Sequence, residues 1–501
     1  MTWQTKADAP SPLAGGGLSR LSGLPEWLRS NVFRPPSPAR LTWRRILAGV
    51  LFIVAGAAAS LARTSGPGAL NSTWIEDAGN FLQDALNQPV LTAITTQVNG
   101  YYLVVPRAIT AAAVAFPLAW APGIMSAAAA AEYALFGLIA YIASGPYLRS
   151  PWLRLLVAVP VCVVPLGYTQ ANNDQATVQF TMLYGLFWLL LWRPATRAGQ
   201  VCAPVVMLGA TLSSILPVFF APLVAARLIA DRSKTGIAVC VGWAAGLLTQ
   251  WTLQLRGVST RSTDEYTSPL WILGNYVTRV VPRAVFGEQA LGGPGTNYRG
   301  SPIPLSIPNM AVHEALIWGA CAIVVAVVVI ALGRLTAPHW PLAVTALAFS
   351  VVLFVGEIVD NSPVVQPRYV IAPALLLYTA IVAMLRPRGV AGDASSAGEP
   401  DDGPGGDETA ATVSAGAVSA GAGPAAASRR PVVAVWAPVT VFALLLAVVV
   451  GFNFRVVNTR SESPPWSAVV AAAKTTCMRP GVADYEFDHL WWHVQIPCSR
   501  V

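Results

Sequence analysis

The residues best suited to chemistry lie between apolar runs. The first such stretch reads Asn71-Ser-Thr-Trp-Ile-Glu-Asp-Ala-Gly-Asn-Phe-Leu-Gln-Asp-Ala-Leu. Adjacent carboxylates at Glu76 and Asp77 could place a general base beside an acceptor hydroxyl. They could also hold a divalent cation, Mg or Mn, through oxygen ligands. Acids equally favour the start of a helix, where they meet the positive end of its dipole. Helical spacing puts Asp77, Asn80 and Asp84 on one face and Ile75, Ala78, Leu82 and Leu86 on another. The pattern predicts an amphipathic helix on the outer membrane surface with the carboxylate pair near its start.

A second polar stretch, residues 168–175, ends in Asn172, Asn173, Asp174 and Gln175. With Asn80, the residues Asn172, Asn173 and Asp174 offer hydrogen-bonding groups for a sugar or acceptor; they also suit a polar turn. Cations form a third group. Arg107 follows Tyr101-Tyr102 and Pro106, Arg279 and Arg283 lie four apart in 270–286 beside Trp271 and Tyr276, and Arg368-Tyr369 opens an apolar run. Arginine presents a planar fork that matches phosphate; the alternatives are snorkelling to headgroups, or pairing with Glu288, Glu357 or Asp360. His489 and His493 have helical metal-ligand spacing without a third ligand at clear spacing. A glycine-rich phosphate loop ending in Lys-Ser or Lys-Thr is missing, which argues against ATP-driven transport.

The elements that must position these groups follow from what is scarce. Charged residues are 11% of 501 and apolar residues 54%, against about 25% charged in soluble chains. The mean hydropathy is +0.55. Apolar runs recur at the length that crosses a bilayer, about 20 residues. They predict an all-α polytopic membrane protein of about eleven transmembrane helices. The spans are 41–62, one net crossing within 101–143, 152–167, 176–192, a hairpin over 201–230, 236–255, 311–332, 340–357, 366–385 and 433–453. The net charge of +8 gathers at span ends, as in Arg40, Arg44 and Arg45, or Arg386 and Arg388. That placement speaks for the positive-inside rule and against nucleic acid.

With residues 1–40 inside, as a disordered polar N-terminus, loops 63–100, 168–175 and 256–310 fall outside. The membrane core spans 41–385. Residues 391–428 carry six acids and no basic residue, so 386–430 reads as a disordered cytoplasmic linker. A last span over 431–454 leads to an extracytoplasmic tail, 455–501. Its Cys477 and Cys498 are expected to form a disulfide, possible only in an oxidising compartment.

The order of parts resembles the GT-C superfamily of polyprenyl-phosphate-sugar-dependent glycosyltransferases. The resemblance rests on a span, an acidic outer loop holding Glu76-Asp77, then Gly100-Tyr-Tyr-Leu-Val-Val-Pro-Arg107, many spans, and a small outer tail. It implies a GT-C-like bundle with outer amphipathic helices and an inverting transfer. The donor would be a polyprenyl-phosphate sugar, and the acceptor a cell-envelope glycan or lipid at the outer face of a bacterial plasma membrane. It further implies that Glu76 and Asp77 serve as base or cation ligands. Arg368 with Tyr369, and Arg107, Arg279 and Arg283, would hold the donor phosphate. The chain departs from better-known branches in lacking a first-loop Asp-x-Asp and the Trp-Trp-Asp of oligosaccharyltransferases. A polysaccharide polymerase or ligase, and a lipid or solute transporter, are the competing readings.

Overall fold

The computed structural model describes residues 23–35, 41–167, 172–255, 268–291, 310–361, 366–388, 432–455, 460–489 and 492–501. The expectations for residues 1–22, 168–171, most of 256–310 and the linker 389–431 lie outside these.

Helices dominate. Six are long and apolar enough to cross a bilayer: Trp43–Leu61, Leu118–Ala143, Ala311–Leu332, Trp340–Ile358, Pro367–Met384 and Val435–Phe452. This architecture fits a helical membrane protein. The expected count of about eleven spans is not met by length. The runs at 152–167, 176–192 and 201–230 fold as Pro151–Cys162, Val178–Leu191, Arg197–Thr211 and Ala221–Ala230, of 12, 14, 15 and 10 residues. At 1.5 Å per residue none reaches about 30 Å alone. Lys234–Leu255 has 22 residues but is less apolar than the six.

Burial separates the inner helices from the outer ones. Every residue of Val178–Leu191 and of Ile371–Met384 is buried, as expected of helices that are apolar all round. By contrast Trp43–Leu61 presents Leu47, Val50, Leu51 and Val54 outward, and Val435–Phe452 presents Val441, Leu444 and Val448. Contiguous apolar faces of this kind suit hydrocarbon. Tyr184 Oη and Thr379 Oγ1 lie 3.0 Å apart between the two central helices.

The stretch 101–143 divides at Pro117. A ten-residue helix, Val104–Ala113, precedes it, and the single long helix follows. A two-stranded ribbon pairs Gln97–Val98 with Tyr101–Tyr102. Its turn holds Asn99 at φ 52° and Gly100 at φ 83°.

The tail forms a helix, Trp466–Cys477, and a hairpin pairing Asp484–His489 with Trp492–Pro497. Cys477 and Cys498 are joined by a disulfide. His489 and His493 therefore sit on opposite strands of a hairpin, and the helical spacing expected of a metal pair does not arise. The tail is not a separate unit. Val469, Val470, Val494 and Ile496 share one apolar cluster with Ala78, Leu82 and Leu86 of the first loop. Trp466 Nε1 donates to Leu118 O at 2.9 Å, and Gln495 N donates to Gln83 Oε1 at 2.6 Å.

Candidate functional site

Residues 76–87 do not form the simple amphipathic helix that the sequence spacing predicts. Asp77–Leu82 is a π-helical turn running into the helix Gln83–Asn87. Its wider i→i+5 turn changes which residues align. Residues four apart come into line, so Glu76, Asn80 and Asp84 share the open face. Asp77 rotates inward and is 3% exposed.

Asp77 is thereby committed. Its two oxygens accept the backbone N–H of Gln175 and of Ala176, both at 2.9 Å. Both oxygens are engaged and the carboxylate is buried, which counts against the expected role of Asp77 as the base. The expected Glu76/Asp77 cation site would have to draw on a carboxylate already engaged in this way. Among the described residues no group of three His, Cys, Asp or Glu side chains could hold a metal ion.

Asn172, Asn173 and Asp174 are also buried rather than displayed, at 4%, 0% and 0% exposure. Asn173, at φ 55°, accepts from Ser60 Oγ at 2.6 Å and donates to Ser60 O at 2.7 Å. Asp174 accepts from Asn172 N at 2.9 Å, Thr177 N at 2.9 Å and Thr177 Oγ1 at 2.6 Å. Asn and Asp readily bond local backbone in this way. These three residues knot the loop through buried hydrogen bonds, an arrangement that does not support their expected role as a sugar surface.

Arg460, which the sequence did not single out, ties this knot to the first loop. It donates to Ala69 O, Asn172 O and Asn173 O at 2.8 Å, to Ser72 O at 2.9 Å and to Ser126 Oγ at 2.5 Å. Burial, then the Asp174 charge, pushes the Asp77 carboxyl well above the usual range. Burial pushes Asp174 up to about 6.

What remains open is a cleft of about 560 Å³ lined by Glu76, Asn80, Asp84, Arg107, Arg368 and Trp492 among others. Its volume is that of a small-molecule site. A narrower recess continues inward from the same Glu76, Asn80 and Arg368 to Tyr101, Gln179, Glu357 and Tyr369. Arg368 Nη1 stands 3.3 and 3.4 Å from the two oxygens of Glu76. The guanidinium also lies 5.6 Å from the ring centres of Phe180 and Tyr369, a cation–π arrangement. Arg368 sits in the short 3₁₀ turn Pro367–Val370, which leads into the fully buried Ile371–Met384 helix. Its backbone is therefore held by the core. Chemically the cleft pairs a carboxylate able to accept a proton with a guanidinium able to hold a phosphate.

The other expected arginines divide. Arg107 reaches the cleft wall but is engaged by Asp84 at 2.7 Å and Ala93 O at 2.9 Å. Arg279 and Arg283 do not line the cleft. Arg279 Nε donates to Asn275 Oδ1 at 2.9 Å, and Arg283 Nη1 to Arg279 O at 3.3 Å, so the cleft lining gives no support to a donor-phosphate role shared with Arg368. Gln179, Asn99 and Trp492 also line the site, and nothing in the spacing of residue types marks them.

No protein-family model matches the chain, and comparison with curated proteins and with solved structures finds no match. Function must be argued from the cleft.

Proposed function

We propose that the protein is a membrane glycosyltransferase that moves a sugar from a polyprenyl-phosphate donor to a cell-envelope glycan or lipid. The observation that carries this reading is the Glu76–Arg368 pair in a polar cleft at the end of an apolar helix bundle. A lipid-phosphate sugar has its leaving group at the membrane interface, where such a cleft would meet it.

In the proposed step Glu76 takes the proton of an acceptor hydroxyl. The oxygen attacks the anomeric carbon, and the bond to the phosphate oxygen breaks with its electron pair leaving on phosphate. Arg368 offsets that charge as it grows. A single displacement inverts the anomeric centre. On this reading the shorter apolar helices also lie in the membrane, which brings the total to about eleven spans. The cleft and tail face the extracytoplasmic side of a bacterial plasma membrane, where nucleotide sugars are absent. The Cys477–Cys498 disulfide suits that compartment.

The test is transfer of labelled sugar from a polyprenyl-phosphate donor by the purified full chain, with Glu76→Gln as the control. Transfer by the native chain and its loss in the variant support the reading. Equal transfer by both overturns it.

A further inference from the structure

At the far end of the helix that begins beside Arg368, the chain builds a second cavity of about 410 Å³, lined by Arg334, Arg386, Trp340 and Leu332 among others. Arg334 follows the Met310–Leu332 helix at φ 57°. There Leu335 N donates to Ile330 O at 3.3 Å, the six-to-one bond that closes a helix around a left-handed residue. Glycine is the residue suited to that position. Gly333 stands beside it, one place too early, and an arginine takes the strained conformation instead. Non-glycine outliers of this kind gather at functional sites, and the turn alone does not explain the arginine.

Arg386 is planted by two backbone carbonyls, Nε to Ala337 O at 2.8 Å and Nη1 to Tyr147 O at 3.2 Å. That uses two of its five N–H groups. Arg34 donates to the adjacent Pro146 O at 3.4 Å, and Arg388 to Thr336 O at 3.2 Å. Among the described residues no carboxylate pairs with Arg334, Arg386 or Arg388. Such a crowd of cations needs an anion. The rim is apolar: Leu332 is 65% exposed, and Trp340 is partly exposed at the start of the next membrane-length helix. Tryptophan favours the headgroup level of a bilayer.

We propose that this cavity binds the phosphate of an anionic phospholipid, held by Arg334 and Arg386, with its acyl chains along Leu332. This site is independent of the glycosyl-transfer reading. The phosphate meets two planar forks, while Trp340 and Leu332 meet the glycerol and chain.

The experiment is thermal unfolding of the full chain in neutral detergent, titrated with phosphatidylglycerol, phosphatidylcholine or inorganic phosphate. Phosphatidylglycerol should raise the midpoint saturably, and the other two should not. Arg334→Gly should stabilise the lipid-free protein by relieving the strained turn, yet weaken phosphatidylglycerol binding roughly tenfold. Arg334→Gln should show the same weakening without the gain. Lys234→Ala, which removes an exposed cation outside the cavity, should leave binding unchanged. An equal shift from phosphatidylcholine, or from inorganic phosphate alone, would overturn the proposal. So would unchanged binding in both Arg334 variants, or an equal loss in Lys234→Ala.

Discussion

Glu76 and Arg368 lie 292 residues apart in sequence and 3.3 Å apart in space. One stands at the mouth of a π-turn in the first loop, and the other heads the innermost helix. The two side chains hold each other across the cleft. The donor's phosphodiester carries one negative charge, as the carboxylate does, and offers the guanidinium the same two parallel bonds, so the two compete for it. On the proposed reading, a bound donor phosphate draws Arg368 away and frees Glu76 to accept a proton. Donor binding then precedes activation of the acceptor.

The two neighbouring acids should separate cleanly on substitution. Glu76→Gln should lower transfer by about 10²–10⁴-fold, the usual loss for a positioned base, while the thermal midpoint barely moves. Asp77→Asn should do the reverse. It replaces one acceptor with a donor facing a backbone N–H, which costs about 1–3 kcal/mol, so the protein should be less stable and its folded fraction still active. Specific activity and thermal midpoint, measured on both variants, check this. Full activity in Glu76→Gln would remove Glu76 from the chemistry.

Arg368→Ala should act on donor binding. Its defect should appear as a raised donor KM, from the lost phosphate contact, together with a lowered kcat, because Arg368 also offsets the charge growing on the departing phosphate. Arg368→Lys should recover only part of the loss, because a point charge does not reproduce the fork. Steady-state kinetics with varied donor decide between this and a purely structural arginine, whose loss would lower the folded fraction and leave the donor KM unchanged.

Much of this arrangement was legible in the sequence, and the misses have physical causes. Hydropathy located the long apolar helices, and cysteine placement gave the tail disulfide. The choice between Glu76 and Asp77 depended on a π-turn, and a one-residue change of helical register has no signature in residue types. Asn172, Asn173 and Asp174 looked like a ligand surface because buried and displayed polar groups share one composition. Arg460 is the opposite case. A lone arginine after the last span gives no sign that it will bridge two loops, one 388 and the other 288 residues upstream. Hydropathy also does not report where a helix stops, so it did not show that the shorter apolar runs fold as helices shorter than a bilayer is thick.

The tail closes one side of the cleft, and Gly79 sets how closely it does so. A Cβ at Gly79 would lie 2.2 Å from Trp492 Cε3, so the indole rests directly on the π-turn. Gly79→Ala should displace the hairpin and cost about 1–3 kcal/mol, the usual penalty for overpacking. Adding Trp492→Ala should recover most of that cost, and a double-mutant cycle reads the coupling. Reducing the Cys477–Cys498 disulfide, which spans 21 residues, should lower stability by about 3 kcal/mol. The unfolding midpoint with and without reductant is the measurement.

The knot behind the cleft should make the fold respond to acid in an unusual direction. Asp77 and Asp174 are both buried and face one guanidinium, that of Arg460, whose charge lowers both pKa values without cancelling the effect of burial. Asp174 is raised to about 6 from 3.8. Between those values the folded protein holds a proton that the unfolded chain has released. Stability then falls as pH rises, because the slope follows the protons bound in the unfolded state minus those bound in the folded state. The contribution is fully present below 3.8 and is lost as pH passes about 6. A shift of that size is worth up to about 3 kcal/mol. Salt-bridged carboxylates with lowered pKa values would give the opposite slope, so the comparison must isolate this residue. Asp174→Asn removes the titrating group and keeps one oxygen for the bonds from Thr177. The thermal midpoint of the native chain, relative to Asp174→Asn, should drop between pH 4 and 6 and level off above pH 7. Parallel curves across that range would show that Asp174 titrates alike in the folded and unfolded chains, and that Arg460 neutralises the pair in full.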